Sequence, residues 1–510
     1  MQMHLSQLLQ QRASLSPQQP ALVYGDLRLN FAELAQRSQR LANYLQQQGI
    51  QQGDRIAIYA KNSDFLATAV FASSYIGAVV VILNWRLQVN ELQYILQDST
   101  PSAMLYDNGF GEQVRTLSAH TSIRVLLAGQ HSTVHPSYPD IIAEQRFDGQ
   151  LPMLEDAEQA AVIMYTSGTT GKPKGAVLSH RALVATAQSN SCTLSWNSDH
   201  RFLLVAPMFH IGGLSPWITN VLKGCTTILL ADFNPVHVWQ LIAQEGVTSM
   251  MTVPVMLQAL LQVAQKTTVD HSSLSWITCG ASAVPYALIT AGLALGLNIQ
   301  QVYGITEFCG AVCFWTPAMG LDYAKSHGQA ALGVQVKIVD PVSLAPVAIG
   351  QEGEIWCKGA MRFSHYWNNP AATAASFVDG WYRTGDIGRL DAQHFVYVVD
   401  RLKDMIISGG ENIYPAELEA SLMTHPAVQD VAVIGVADAH WGEIPVAYVV
   451  SNAEHQVDEQ QLIQHCRQQL AAYKCIKAVR FIAALPRNGI GKVIKSQLQQ
   501  HDLAMTSAVH

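Results

Sequence analysis

Short apolar strands alternate with helix-like stretches along most of this chain, and that alternation leaves few folds open. A helical pattern over 31–48 is followed by apolar runs at Arg55–Tyr59, 80–83, Ala103–Tyr106 and 125–127. Strands separated by helices read as βαβ units, which pair in parallel and build a doubly wound sheet. A second series follows: strand 226–230, helix 236–245, strand 249–253, a helix from Pro254, then strand 275–279. It predicts another α/β layer. Between about 330 and 400 the texture changes to short strands with glycine turns at Gln335–Val339, Gly353–Lys358 and 389–399, as in a small barrel or antiparallel sheet. Residues 65–83 carry no charge and approach the length of a membrane span. Gly77 divides them into a stretch with small and polar residues and a β-branched run, so they predict a helix, a turn and a buried strand.

The chain has 510 residues, enough for three or four structural units of roughly 100–200 residues each. Hydrophobic residues make up 49% and charged residues 14%, a globular balance that excludes a disordered chain. Acidic residues outnumber basic ones, 38 to 31, and no basic run is present, which argues against nucleic acid as a partner. The eight cysteines include no Cys-x-x-Cys pair and read as buried small hydrophobes of a reducing compartment. Cys309, Cys313 and His327 match no zinc spacing. The N-terminal residues lack the basic start and apolar core of a signal peptide, and the last six match no lipidation or peroxisomal signal, so the expected location is the cytoplasm.

The segment Asp400-Arg401-Leu402-Lys403-Asp404 follows a strand pattern at 395–399 and is the best boundary candidate. It predicts a large domain over 1–400 and a small α+β domain over 401–510, the latter from helix, strand, strand, helix and strand patterns at 415–423, 428–436, 446–450, 459–473 and 479–482. Two bodies joined by one short charged segment invite relative rotation.

The strongest local signal is Tyr165-Thr-Ser-Gly-Thr-Thr-Gly-Lys-Pro-Lys-Gly175, set between apolar strands. Its glycines let backbone N–H groups turn inward, and hydroxyls and lysines add donors, which suits a polyphosphate. A Walker A loop is excluded, because only two residues separate Gly168 from Gly171 and Pro173 occupies the Ser/Thr position.

The chain resembles the AMP-forming acyl- and aryl-CoA synthetases, of the superfamily that includes luciferases and peptide-synthetase adenylation domains. The resemblance rests on that loop and on further segments in the family's order: Tyr303-Gly-Ile-Thr-Glu307, Trp381-Tyr-Arg-Thr-Gly-Asp386, the hinge-like run from Asp400 to Pro415, Trp441-Gly-Glu443, and Pro486-Arg-Asn-Gly-Ile-Gly-Lys492. Alone, Asp386 would be read as a turn residue, Lys492 as a solvated surface charge and Trp441 as core. The ordered match outweighs those readings for Asp386 and Lys492 and leaves Trp441 balanced.

What the resemblance implies is a large domain of two doubly wound sheets with a barrel-like subdomain, a mobile C-terminal domain, and a two-step ligation. A carboxylate attacks the α-phosphate of ATP, and the thiol of CoA then displaces AMP. Thr166, Ser167, Gly168, Thr169, Thr170 and Lys174 would hold the outer phosphates. Thr306 would serve the α-phosphate and Glu307 the Mg²⁺. Asp386 and Arg401 suit the ribose hydroxyls, and Tyr303, Gly280, Ala281 and Gln301 the adenine. Lys492 would bridge the attacking carboxylate and the α-phosphate, then withdraw by rotation about Lys403. Gly409 and Gly410 would flank the pantetheine arm of CoA, with Trp441, Tyr473, Lys474 and Lys477 toward its nucleotide.

His210, in Pro207-Met-Phe-His-Ile-Gly-Gly213, is the candidate gate of the acyl site, with Gly212, Cys309 and Gly310 in the pocket. Amino-acid-activating relatives carry Asp at the position of His210, so an uncharged tail is expected: a fatty acid or a hydroxycinnamate or benzoate. Two alternatives stay open, an adenylating enzyme serving a carrier protein in trans and a non-catalytic nucleotide-binding regulator. The sequence leaves a homodimer open.

Overall fold

Ser63 starts the helix Asp64–Tyr75 by accepting a hydrogen bond from the Leu66 amide, 3.3 Å. Every residue from Phe65 to Tyr75 is buried, and the strand Val79–Ile82 that follows is buried on both faces. The uncharged stretch is therefore core, as its composition implied. Among the described residues no helix is long and apolar enough to cross a membrane. The computed structural model describes residues 3–119, 121–144, 154, 156–166, 173–282, 284–408, 411–438, 441–452, 457–470, 474–487 and 493–507.

These residues form two compact units. The first comprises Met1–Val336 and Cys357–Tyr382, and the second Lys337–Trp356 and Arg383–His510. The first unit holds two sheets. A seven-stranded sheet runs in the order His365–Tyr366, Lys174–Ser179, Ala160–Thr166, Val79–Ile82, Arg55–Tyr59, Ala103–Tyr106, Val125–Ala128. Pairing is parallel from Ala160–Thr166 outward to Val125–Ala128 and antiparallel at the other edge. A nine-stranded sheet runs Gln329–Ala330, Gly310–Trp315, Ile299–Ile305, Trp276–Cys279, Ser249–Thr252, Arg201–Leu204, Thr226–Leu229, Pro20–Tyr24, Leu27–Asn30. Its middle pairs are parallel and both edges are closed by antiparallel strands. Both series of strands read from the sequence are present. The N-terminal hairpin Pro20–Tyr24/Leu27–Asn30, turning at Gly25 with φ +55°, was not anticipated.

The second unit carries the sheet Glu411–Ile413, Ile406–Ser408, Gly442–Ser451, Val428–Asp438, with Ala478–Phe481 parallel to Gly442–Ser451. Alternate residues of its long strands pack into separate clusters. Val431, Val433, Ala447 and Val449 meet Leu418, Leu422 and Leu462 of two helices, whereas Ala432, Ile434, Val446 and Tyr448 meet Leu498 of the helix Lys495–Ser507. The period-two pattern of 428–438 and 442–451 thus buries both faces. In the same unit, Val396–Arg401 pairs antiparallel with Trp381–Leu390. Of the boundary segment 400–404, Asp400 and Arg401 still belong to the strand, opposite Ile387 and Asp386, and a cross-strand ion pair closes the ladder at Arg401.

Candidate active site

The open side of a doubly wound sheet lies beyond the carboxyl ends of its parallel strands, where ligands bind. Several sequence-predicted residues of the first unit stand at such ends. Thr166 ends one strand and Lys174 opens its antiparallel neighbour, and the two are paired across the ladder, so the hydroxyl-rich segment between them is closed at its base. Ser167, Gly168, Thr169 and Thr170 lie outside the described residues.

Thr306 and Glu307 form a 3₁₀ turn between the strands Ile299–Ile305 and Gly310–Trp315. The turn exits through Cys309 in the left-handed region, φ 52°. The Glu307 carbonyl accepts the Phe363 amide, 2.8 Å, and its Oε1 accepts the Tyr366 hydroxyl, 2.8 Å. Tyr366 lies on the edge strand beside Lys174–Ser179, and the Lys174 ammonium sits 5.4 Å from the centre of its ring. A cation, a phenol and a carboxylate are thereby lined up. Burial and the nearby Glu307 charge push the Tyr366 phenol well above the usual tyrosine range, so it stays a donor. Among the described residues no cluster of three or more His, Cys, Asp or Glu could hold a metal by itself. One carboxylate such as Glu307 fits Mg²⁺ nonetheless, because this hard cation takes oxygen ligands mainly from one or two carboxylates, water and substrate phosphates.

The adenine-side residues are placed differently from one another. Gly280 is required by packing, since a Cβ there would stand 2.4 Å from the Val302 side chain. Ala281 follows it in the left-handed region, φ 69°. Tyr303 is buried and meets His327 edge-on at 6.1 Å. The Gln301 amide donates to the carbonyls of Ala324, 2.6 Å, and Ser326, 3.1 Å, and ties down that loop.

His210 immediately precedes the helix Ile211–Lys223 and packs against Phe209, with ring centres 4.6 Å apart. Burial, and secondarily the Arg86 charge, push its pKa down to about 4, so the imidazole is neutral at neutral pH. Among the described residues its Nε2 has no hydrogen-bond partner. A Cβ on Gly212 would lie 3.1 Å from Met251 Cε, and one on Gly310 would lie 3.3 Å from Ser215 Oγ. Met251 and Ser215 thus flank the predicted pocket glycines, although no motif marks them. Cys309 is fully buried, its thiol is pushed up by burial, and the Thr186 hydroxyl is its neighbour.

In the second unit Asp386 and Arg401 face one another across the ladder, Nε to Oδ1 2.6 Å. The turn before Asp386 is braced by Glu354, which accepts from Arg383 Nε, 2.9 Å, and from the Gly385 amide, 3.2 Å. Thr384 donates to the Ile355 carbonyl, 2.7 Å, and accepts the Asp386 amide, 3.0 Å. Gly385 takes φ +69°, which a side chain would resist. Lys403 is exposed in a turn closed by the Asp404 and Met405 amides on the Arg401 carbonyl. Of the residues predicted to meet CoA, Trp441 is 47% exposed and the Lys477 ammonium lies 5.9 Å from its ring. The Lys474 ammonium is held by both oxygens of Glu417, 2.8 and 2.9 Å. Gly409, Gly410, Tyr473 and Lys492 lie outside the described residues.

Comparison with known proteins decides the family. The AMP-binding enzyme profile matches residues 9–367, and the AMP-binding enzyme C-terminal domain matches 417–492. The chain belongs to the AMP-binding enzyme family. Among its relatives, this AMP-binding enzyme is 38% identical to a feruloyl-CoA synthase of Amycolatopsis sp. over 96% of this chain and 97% of that protein. It is 36% identical to a long-chain-fatty-acid–CoA ligase of Mycobacterium tuberculosis over 97% of both. Among solved structures, the o-succinylbenzoate coenzyme A synthetase of Bacillus subtilis in complex with ATP and magnesium ion matches with a TM-score of 0.86 and 33% identity, covering 96% of this chain and 98% of that one.

Proposed function

We propose that this AMP-binding enzyme is an ATP-dependent carboxylate–CoA ligase acting on an apolar fatty or hydroxycinnamate-type acid. The observation that carries the reading is the Lys174–Tyr366–Glu307 alignment at the base of the hydroxyl-rich segment. It presents an ammonium to phosphate oxygens and a carboxylate to the Mg²⁺ that accompanies them, and relatives named as CoA ligases over nearly the full length support it. In the first step a substrate carboxylate oxygen bonds to the α-phosphorus of ATP and pyrophosphate leaves. In the second, the CoA sulfur bonds to the acyl carbon, its proton is lost, and AMP leaves. Mg²⁺, when bound, offsets the phosphate charge. Thr306, next to Glu307, is assigned to the α-phosphate, Asp386 with Arg401 to the ribose, and Lys477 with Trp441 to CoA. A supply of both ATP and CoA fits the cytoplasm.

The apolar tail follows from a neutral His210 beside Phe209, Met251 and two glycines, with no carboxylate to pair a substrate ammonium among these residues. Carboxylate-dependent exchange of pyrophosphate into ATP, scanned across fatty, hydroxycinnamic and amino acids, tests the reading. Exchange is expected with a fatty or aryl acid, followed by thioester formation on adding CoA. Exchange with amino acids alone would overturn the substrate class. Exchange without thioester formation would favour a carrier protein in trans, and no exchange at all a regulator.

We further propose that the region after residue 400 works as a mobile lobe hinged at Lys403. Among the described residues the Lys403 amide makes no backbone hydrogen bond, so proline removes none there. Proline fixes φ at 403 and biases Leu402 toward extended backbone. Lys403→Pro is expected to retain pyrophosphate exchange and to slow thioester formation by roughly tenfold or more. Unchanged turnover with an unchanged melting temperature would remove the hinge.

A further inference from the structure

Glu307 is a single carboxylate on a three-residue turn, and such a group swings unless something fixes it. Tyr366 is that neighbour. Its hydroxyl reaches Oε1 at 2.8 Å, and among the described residues Oε2 has no hydrogen-bond partner. The tyrosine is itself held from several directions. It pairs with Ala176 across the edge ladder, and its amide donates to Thr373 Oγ1, 3.0 Å. The next residue, Trp367, donates its amide to the Gly175 carbonyl, 2.7 Å, and its indole N–H to the Asp98 carbonyl, 3.0 Å. Asp98 also accepts the hydroxyl of Tyr165, 2.6 Å, one residue before Thr166. One acidic residue at the end of the helix Val89–Ser99 therefore braces both the strand leading into the hydroxyl-rich segment and the strand carrying Tyr366.

We infer that Tyr366 is a positioning residue for the metal–nucleotide site: its hydroxyl turns Glu307 so that Oε2 meets the cation, and its ring seats the Lys174 ammonium. The inference rests on the ligase reading above. Partners that orient a metal-binding group typically matter about tenfold to a hundredfold for metal affinity or activity. A ring under an ammonium contributes less, roughly threefold to tenfold in affinity, and phenylalanine keeps it.

The test is calorimetric binding of ATP, without acid or CoA, in the presence of EDTA and of saturating Mg²⁺. Wild type is expected to bind ATP more tightly with Mg²⁺. In Tyr366→Phe that enhancement is expected to shrink by about tenfold, while metal-free binding holds. Tyr366→Leu, which also loses the ring, is expected to weaken metal-free binding as well, by roughly threefold to tenfold. A Tyr366→Phe enhancement equal to that of wild type would overturn the inference alone. Parallel loss of both affinities in Tyr366→Phe together with a lower melting temperature would mark a merely structural role and overturn it too. A wild-type protein that does not bind ATP would remove the ligase reading and this inference with it.

Discussion

Lys492→Ala is expected to slow acyl-adenylate formation by about 10²–10³, the scale for removing one preorganised donor aimed at developing charge. Attack on the α-phosphorus brings a carboxylate oxygen against an already anionic centre, and an ammonium that bridges both gains most when they are closest. The loss should therefore fall on turnover more than on substrate affinity. Arg487, the other cation in this segment, is engaged by Asp430, 2.6 Å, and bridges Val493 across the chain. Thioester formation from supplied acyl-adenylate is expected to suffer far less. Lys492→Arg is expected to recover only part of the loss, since a planar fork does not replace a compact point charge. Pyrophosphate exchange and single-turnover thioester formation measure the two halves separately, and equal losses in both would end the assignment.

What the sequence could disclose followed the range of each interaction. The doubly wound layers were legible because burial on both faces leaves continuous apolar runs, as in Val79–Ile82, which need no knowledge of a partner. The strands Ala160–Thr166 and Lys174–Ser179 that flank the hydroxyl-rich segment were legible because apolar runs bound it on both sides. The edges were not. The strand Pro20–Tyr24 pairs with Thr226–Leu229, about two hundred residues away, and nothing local to either predicts the other. Tyr366 reaches Glu307 across 59 residues, and Lys474 reaches Glu417 across 57. In both cases only the distant partner shows what the side chain meets. Gln301 shows the same ambiguity. An amide at the end of a strand suits an adenine or a carbonyl equally well, and its bonds to Ala324 and Ser326 come from residues more than twenty positions away. The strand continuing through Asp400 and Arg401 was hidden because charged residues mark linkers on average, whereas here one of them completes a cross-strand pair.

That pair carries the second large effect. Asp386 is 3% exposed, its carboxylate is held by Arg401, and its backbone amide is held by the Thr384 hydroxyl. An ionised carboxylate accepts hydrogen bonds only, and the vicinal hydroxyls of a ribose donate two. Each bond to a charged acceptor is worth roughly 1.5–3 kcal/mol, so Asp386→Ala is expected to lower kcat/KM for ATP by about 10²-fold. Loss of the ion pair alone would also disturb the site, although Arg401 keeps 41% of its side chain in solvent and so retains hydration when its partner is removed. Deoxynucleotides separate the two causes. Wild type should lose about tenfold with 2′-deoxy-ATP or 3′-deoxy-ATP, since each lacks one donor. Asp386→Ala should treat ATP and both analogues alike, because the group that distinguishes them is gone, and Asp386→Asn, whose amide oxygen still accepts, should fall between. A variant without Asp386 that continued to discriminate against both deoxynucleotides would show that the hydroxyls are read by another residue, and would leave Asp386 with the ladder and Arg401 as its whole task.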